Sequence, residues 1–144
     1  MALFTTTFHI YTRGMIRVLI VDPHDLVRMA LETRLATAVG LDIISGIGGY
    51  KDAVQKAQRL RPDVILLETK APDGMETLEE LAQTLPQSAI IILTSYPDSH
   101  EEDATLQLGA TRYLLKTLNT KELVREIRTS ARQHHAVAPS PAPI

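Results

Sequence analysis

Short apolar runs alternate with amphipathic stretches along most of the chain, from residue 16 to about residue 131. I-R-V-L-I-V at 16–21 is β-branched and almost wholly apolar, the pattern of a strand buried on both faces. From 26 to 39, Val27, Ala30, Leu31, Arg34, Leu35 and Ala38 recur at helical spacing, and Gly40 ends the helix they predict. A second strand follows at 42–47, broken by Gly48-Gly49. A helix over about 50–60 turns Ala53, Val54, Ala57 and Leu60 inward before Pro62 closes it. D-V-I-L-L-E at 63–68 reads as the third strand. Past a loop with Pro72, Asp73 and Gly74, a helix carrying Leu78, Leu81, Ala82 and Leu85 stops at Pro86. A-I-I-I-L-T at 89–94 is the fourth strand, and a helix over about 98–108 stops at Gly109. R-Y-L-L-K at 112–116 is the fifth strand, and Asn119 is suited to cap a last helix striped by Leu123, Val124, Ile127 and Ala131.

Five strands, each followed by a helix, predict an α/β fold whose parallel sheet is covered on both faces by right-handed crossovers. A closed barrel of this kind needs about eight such units, so an open, doubly wound (βα)5 sheet is expected. Ligands on open sheets sit beyond the carboxyl ends of the strands. There Asp22, Glu68, Thr94 and Lys116 each end or directly follow a strand. Two acids, a hydroxyl and an ammonium suit a phosphoryl group: lysine and hydroxyl hold its oxygens, while the acids bind magnesium or accept the phosphoryl. The plainer alternative is a polar strand-end cluster in which Lys116 neutralises Glu68.

Composition narrows the classes. The 144 residues allow one domain with a real core, and 44% hydrophobic with 22% charged residues is a globular balance. A net charge of −2 with no basic patch argues against nucleic acid bound by this chain. Without cysteine there is no disulfide framework, thiolate metal site or cysteine nucleophile. The apolar runs are far too short to span a membrane, and a cytoplasmic location is expected. Residues 1–14 lack a signal-peptide core and Met15 offers a second start, so they read as an N-terminal extension, with F-H-I-Y alternating as an edge strand would. Residues 15–134 form the expected domain, and 135–144 a Pro/Ala-rich linker or truncated tail.

Four motifs carry a family resemblance: I-R-V-L-I-V-D-P-H-D-L-V-R, D-V-I-L-L-E-T-K-A-P-D-G, I-L-T-S and L-G-A-T-R-Y-L-L-K. Over about residues 15–131 the chain resembles a response-regulator receiver domain of two-component phosphorelay signalling. It is most similar to the branch in which a helix-turn-helix DNA-binding output domain follows. The resemblance implies a flavodoxin-like sheet of strand order 2-1-3-4-5. It also implies that Asp22 is the first acid of a metal-binding pair and that Glu68 stands at the phosphoacceptor position. Lys70 would lend a backbone carbonyl to the metal. Thr94 and Tyr113 would be the switch pair, Lys116 the phosphate-binding lysine, and Pro72 the loop proline. Asp73-Gly74 matches the family's later D-G only if two loop residues are deleted.

Two departures stand against the ordinary mechanism. Glu68 replaces the acceptor aspartate, moving the carboxylate about 1.5 Å, and in-line phosphoryl transfer depends on position. Pro23 replaces the second acid, a direct ligand of Mg²⁺, which demands near-octahedral oxygen geometry. An atypical pseudo-receiver is therefore expected: no enzyme, no cofactor, and Mg²⁺ weak or absent, held by Asp22, Glu68 and the Lys70 carbonyl if at all. Glu68 would act as a built-in charge that reaches Lys116 and Thr94 and biases the Thr94–Tyr113 switch, or would simply be tolerated. The alternative is a receiver still phosphorylated or metal-binding at low efficiency. The family usually signals through residues corresponding to 98–134 here, so a protein partner or homodimer is expected there. The cognate sensor kinase is not readable from the sequence.

The remaining polar residues have plainer readings. His24 takes a loop role. Asp25 caps the helix from Leu26, although its carboxylate could substitute for the lost ligand and complete an acidic pocket with Asp22. His134-His135 is not metal spacing. Glu101-Glu102-Asp103 suits a helix N-terminus and needs no partner. D-P-H-D-L-V half-matches the D-x-H-x-x-G loop of cobalamin-binding domains, a remote alternative because Val27 replaces the glycine. A small hydrolase using Asp22 as nucleophile would need further acids and a lid.

Overall fold

The computed structural model describes residues 14–137. The expected N-terminal extension with its F-H-I-Y strand, and the tail from 138 onward, lie outside the described residues.

Ile16–Val21 (β1) is an interior strand of a five-stranded parallel sheet, a place its apolar residues suit because they can be buried on both faces. Leu41–Ile47 (β2) and Val64–Leu67 (β3) flank it, and Ala89–Thr94 (β4) and Arg112–Leu115 (β5) extend the sheet in the order β2-β1-β3-β4-β5. Val21 pairs with Leu67 and Leu67 with Ile92, so the strand ends stay in step and Asp22 and Glu68 emerge side by side.

Alternate residues feed two cores. On one face Leu19, Val21, Ile65, Leu67, Ile90 and Ile92 meet Ala53–Leu60 (α2) and Gly74–Thr84 (α3) through Val54, Ala57, Leu78 and Leu81. On the other, Val18, Ile20, Leu66, Ile91 and Leu93 meet Asp25–Ala36 (α1) and Thr120–Val137 (α5) through Leu31, Leu35, Leu123 and Ile127. Each fully buried aliphatic side chain contributes about 1.5–3 kcal/mol. Ser99–Gln107 (α4) is different: Thr105 is its buried residue, so it is held by polar contacts as much as by apolar packing.

The helix ends differ in detail from expectation. Asn119 and Asp98 cap as their residue types suggest: Asn119 Oδ1 accepts from Glu122 N at 2.8 Å, and Asp98 accepts from His100 N and Glu101 N. Asp25 does not cap. It is the first helical residue of α1, with His24 at the cap and no side-chain cap bond. Ala30 is exposed rather than in the core stripe, because α1 turns Leu31 and Leu35 inward instead. α5 runs on through 135–137, residues expected in the tail. Among the described residues no helix is long and apolar enough to cross a membrane.

Candidate functional site

Three ionisable groups converge at the carboxyl edge of the sheet. Asp22 directly follows β1 and is 2% exposed; Glu68 directly follows β3 and is 3% exposed. Lys116, just past β5, places its ammonium between them, 2.7 Å from Asp22 Oδ2 and 2.9 Å from Glu68 Oε1. The backbone sets this up: Asp22 N donates to Ile47 O, Glu68 N to Val21 O, and Lys116 N to Thr94 O at 2.7 Å. Each residue thus continues the ladder by one bond before its side chain turns into the cleft.

The other carboxylate oxygens are occupied. Asp22 Oδ1 accepts from His24 N at 2.8 Å and lies 3.1 Å from His24 Nδ1. Glu68 Oε2 accepts from Lys70 N at 3.1 Å. Asp22 Oδ2 meets the ammonium as an ion pair without hydrogen-bond alignment, so this buried oxygen depends on charge alone. The Tyr50 hydroxyl donates to the Glu68 carbonyl. Burial first, then the charges of Glu68, Asp22 and Glu101, raises the Tyr50 phenol above its ordinary value.

Thr94 is fully buried at the end of β4, and its hydroxyl reaches Tyr96 O at 3.5 Å. The Tyr113 hydroxyl donates to the same carbonyl at 3.4 Å, so the two expected switch residues converge on Tyr96. The expected reach of Glu68 to Thr94 is not made: the carboxylate meets Lys116 and Lys70 N, and the threonine hydroxyl turns to the β4–α4 loop. Burial raises the Tyr113 phenol, with the charge of Glu101 adding to it.

Asp25 does not join Asp22. Its carboxylate is 76% exposed and pairs with Arg28 Nη2 at 2.9 Å, one helical turn on. Arg28 also donates to the Asp22 carbonyl at 2.8 Å and lies 3.7 Å from Glu32. Its side chain crosses Gly46 and Gly48 on the β2 side, where a Cβ would come 2.7 Å from Arg28 Cδ at Gly46 and 2.6 Å from Arg28 Nη1 at Gly48. The acid displaced by Pro23 therefore anchors a loop clamp rather than an acidic pocket.

Glu101 does have partners. Its carboxylate accepts from Thr69 Oγ1 at 2.9 Å and pairs with the Lys70 ammonium. Burial works to lower Lys70, and the bond to Glu101 overcomes it, leaving the ammonium above its ordinary value. Gly74 makes the β3–α3 loop tight enough for this, since a Cβ there would sit 2.4 Å from Thr69 O. The helix dipole alone accounts for an acidic first turn, so the sequence carries no local sign of these partners.

A divalent metal, which the resemblance implies, does not fit the donors as arranged. Mg²⁺ needs about six oxygens in near-octahedral array. Here two side-chain carboxylates face the cleft with an ammonium within 3 Å of both, and Pro23 supplies no side-chain donor. Among the described residues no cluster of three His, Asp or Glu side chains could hold an ion. The cleft is arranged around a resident cation, Lys116.

Comparison with known proteins bears on the family and the fold. Residues 18–128 match the response regulator receiver domain family. The chain is 35% identical over 115 residues to the response regulator protein VraR of Staphylococcus saprophyticus, covering 78% of this chain and 55% of that protein. It is 31% identical over 126 residues to VraR of Staphylococcus aureus, covering 86% and 60%. The chain thus spans little more than half the length of these relatives. Among solved structures it resembles the signal receiver domain of the putative response regulator NarL from Mycobacterium tuberculosis, with a TM-score of 0.77. That likeness covers 83% of this chain and 98% of that one at 21% identity, which bears on the fold alone.

Proposed function

Because the chain belongs to the response regulator receiver domain family, we propose that it works as a phosphorylation-independent receiver, a regulatory and protein-interaction module rather than an enzyme. The reading rests on one observation: the Lys116 ammonium already bridges Glu68 and Asp22 at 2.9 and 2.7 Å. In a phosphorylated receiver a lysine at this position would hold a phosphoryl oxygen. Here the longer glutamate brings its own anionic oxygen to that lysine. The ion pair holds the site in one conformer with neither phosphoryl group nor divalent metal. Glu68 does not touch Thr94, so any bias on the Thr94–Tyr113 pair passes through the Lys116 amide, which donates to Thr94 O.

Residues 15–134 are the receiver, and 98–134 the face offered to a protein partner or a second copy. The curated relatives continue well beyond the matched length. An output domain of the helix-turn-helix kind would belong there, making this the N-terminal part of a cytoplasmic transcriptional regulator.

The test is incubation with acetyl phosphate, or with beryllofluoride and Mg²⁺, following mass and Mg²⁺ affinity. The expected result is an unmodified protein without specific Mg²⁺ binding. The paired substitution Pro23→Asp with Glu68→Asp should gain both. Stoichiometric modification of the unaltered protein would overturn the reading.

A further inference from the structure

Arg34 is a charged residue on the inward stripe of α1, flanked by the buried Leu31 and Leu35. A half-buried guanidinium must find acceptors for a planar fork of donors. It finds them on one short segment, the β5–α5 loop that begins with Lys116 together with the first residue of α5. Arg34 Nη2 donates to Leu118 O at 2.7 Å, Nε to Thr120 Oγ1 at 3.0 Å, and Nη1, most weakly, to Lys116 O at 3.5 Å. These partners are neutral oxygens, so the contact is directional rather than a charge pair.

We infer that Arg34 is a positioning residue for Lys116: it fixes the loop from α1 and so holds the ammonium between Asp22 and Glu68. This rests on the reading of the Lys116 bridge given above. Lysine has a long flexible side chain whose ammonium finds no fixed geometry of its own. A bridge to two buried acids therefore needs a fixed backbone. The amide of Lys116 is held by Thr94 O. Its carbonyl and the next turn of the loop are held by Arg34, so the residue is gripped from both sides of its Cα. Leu118 adds apolar packing against the α1–α5 core. The bridge is thereby coupled to α1, an element outside residues 98–134.

A second tie of the same chemistry provides the control. Arg128 on α5 donates to Val39 O, beyond α1, and does not touch the Lys116 loop. An Arg34 that merely stapled helices together would be equivalent to it.

The experiment follows exchange of the Lys116 ammonium protons with water by nitrogen-15 NMR, in the whole chain and in its Arg34→Met, Arg34→Lys, Arg128→Met and Glu68→Gln variants. Folding of each is checked by circular dichroism. Arg34→Met should speed exchange about tenfold through local opening, and Arg128→Met less than about twofold. Arg34→Lys keeps the charge without the fork, should fall between them, and carries the test if Arg34→Met does not fold. Equal effects of Arg34→Met and Arg128→Met, or none from either Arg34 variant while Glu68→Gln speeds exchange, would overturn the role of Arg34 and leave the bridge standing. No effect of Glu68→Gln would overturn the bridge itself, and the role of Arg34 with it.

Discussion

Thr69, the residue after Glu68, donates its hydroxyl hydrogen to Glu101 on α4 at 2.9 Å, and Lys70 grips the same carboxylate. The backbone amide of Lys70 meanwhile holds Glu68 Oε2. Two consecutive residues thus join the acid in the cleft to the first turn of α4, where the proposed interaction face begins. α4 buries little apolar surface of its own, so this polar latch is a large part of what seats it.

Glu101→Ala should loosen α4 more than the domain. Lys70 and Glu101 are partly solvated, so the loss in global stability is expected at about 0.5–1.5 kcal/mol by urea unfolding. Amide exchange in 99–107 should quicken about tenfold, while β1 and β3 stay protected. Uniform exchange across the domain would show that no latch exists.

Lys116→Met removes the cation from between two buried acids. Stranding buried charge costs about 3–5 kcal/mol. Adding Glu68→Gln to that variant neutralises one acid and should restore about 1–2 kcal/mol, a non-additive result expected of groups in contact. Strictly additive losses in a denaturant double-mutant cycle would mean that the two residues do not interact.

Alkaline titration should destabilise the fold through Tyr50. Its phenol is raised in the folded state, so above the ordinary value of 10.0 the folded protein holds a proton that the unfolded chain has released. Stability is then fully present below about pH 10 and falls as pH rises further. Lys70, also raised, acts with the same sign in the same region. Tyr50→Phe should flatten the pH dependence of Tm above pH 10, leaving a smaller slope from Lys70 and Tyr113. An unchanged slope would refute the assignment.

Gly74→Ala places a methyl 2.4 Å from the Thr69 carbonyl oxygen, which is backbone and cannot swing aside. The loop must shift, at a cost of about 1–3 kcal/mol. Since Thr69 moves with it, exchange in α4 should quicken as in Glu101→Ala. Retention of the Thr69–Glu101 contact in a structure of the variant would separate loop strain from latch loss.

The strand order and the positions of Asp22, Glu68, Thr94 and Lys116 were legible because they depend on chain-local pattern. Each closes an apolar run, and a parallel sheet sends every such end to the same edge. Long polar side chains leave no such period. Glu101 looked complete as a helix-dipole acid, and nothing local pointed to Thr69, 32 residues away. Asp25 looked like a cap because caps are read from residue type. His24 took that place once the chain bent to let its amide reach Asp22. Arg34 lies on the inward stripe of α1, and its acceptors come from residues more than 80 positions on, which no local pattern marks.

Under the proposed function, the ammonium between Asp22 and Glu68 would also change what this domain can report. A receiver that must gain and lose a phosphoryl group can flip within a molecule's lifetime, and its state follows a stimulus. On the proposed reading, a cleft closed by its own lysine has no such clock, because nothing enters or leaves. Its contribution then scales with copy number and ends when the molecule is degraded. The variable that cells would adjust is abundance, on the timescale of synthesis and turnover, and a mutation that opened the bridge would act as a dominant change of setting rather than as a loss of sensitivity.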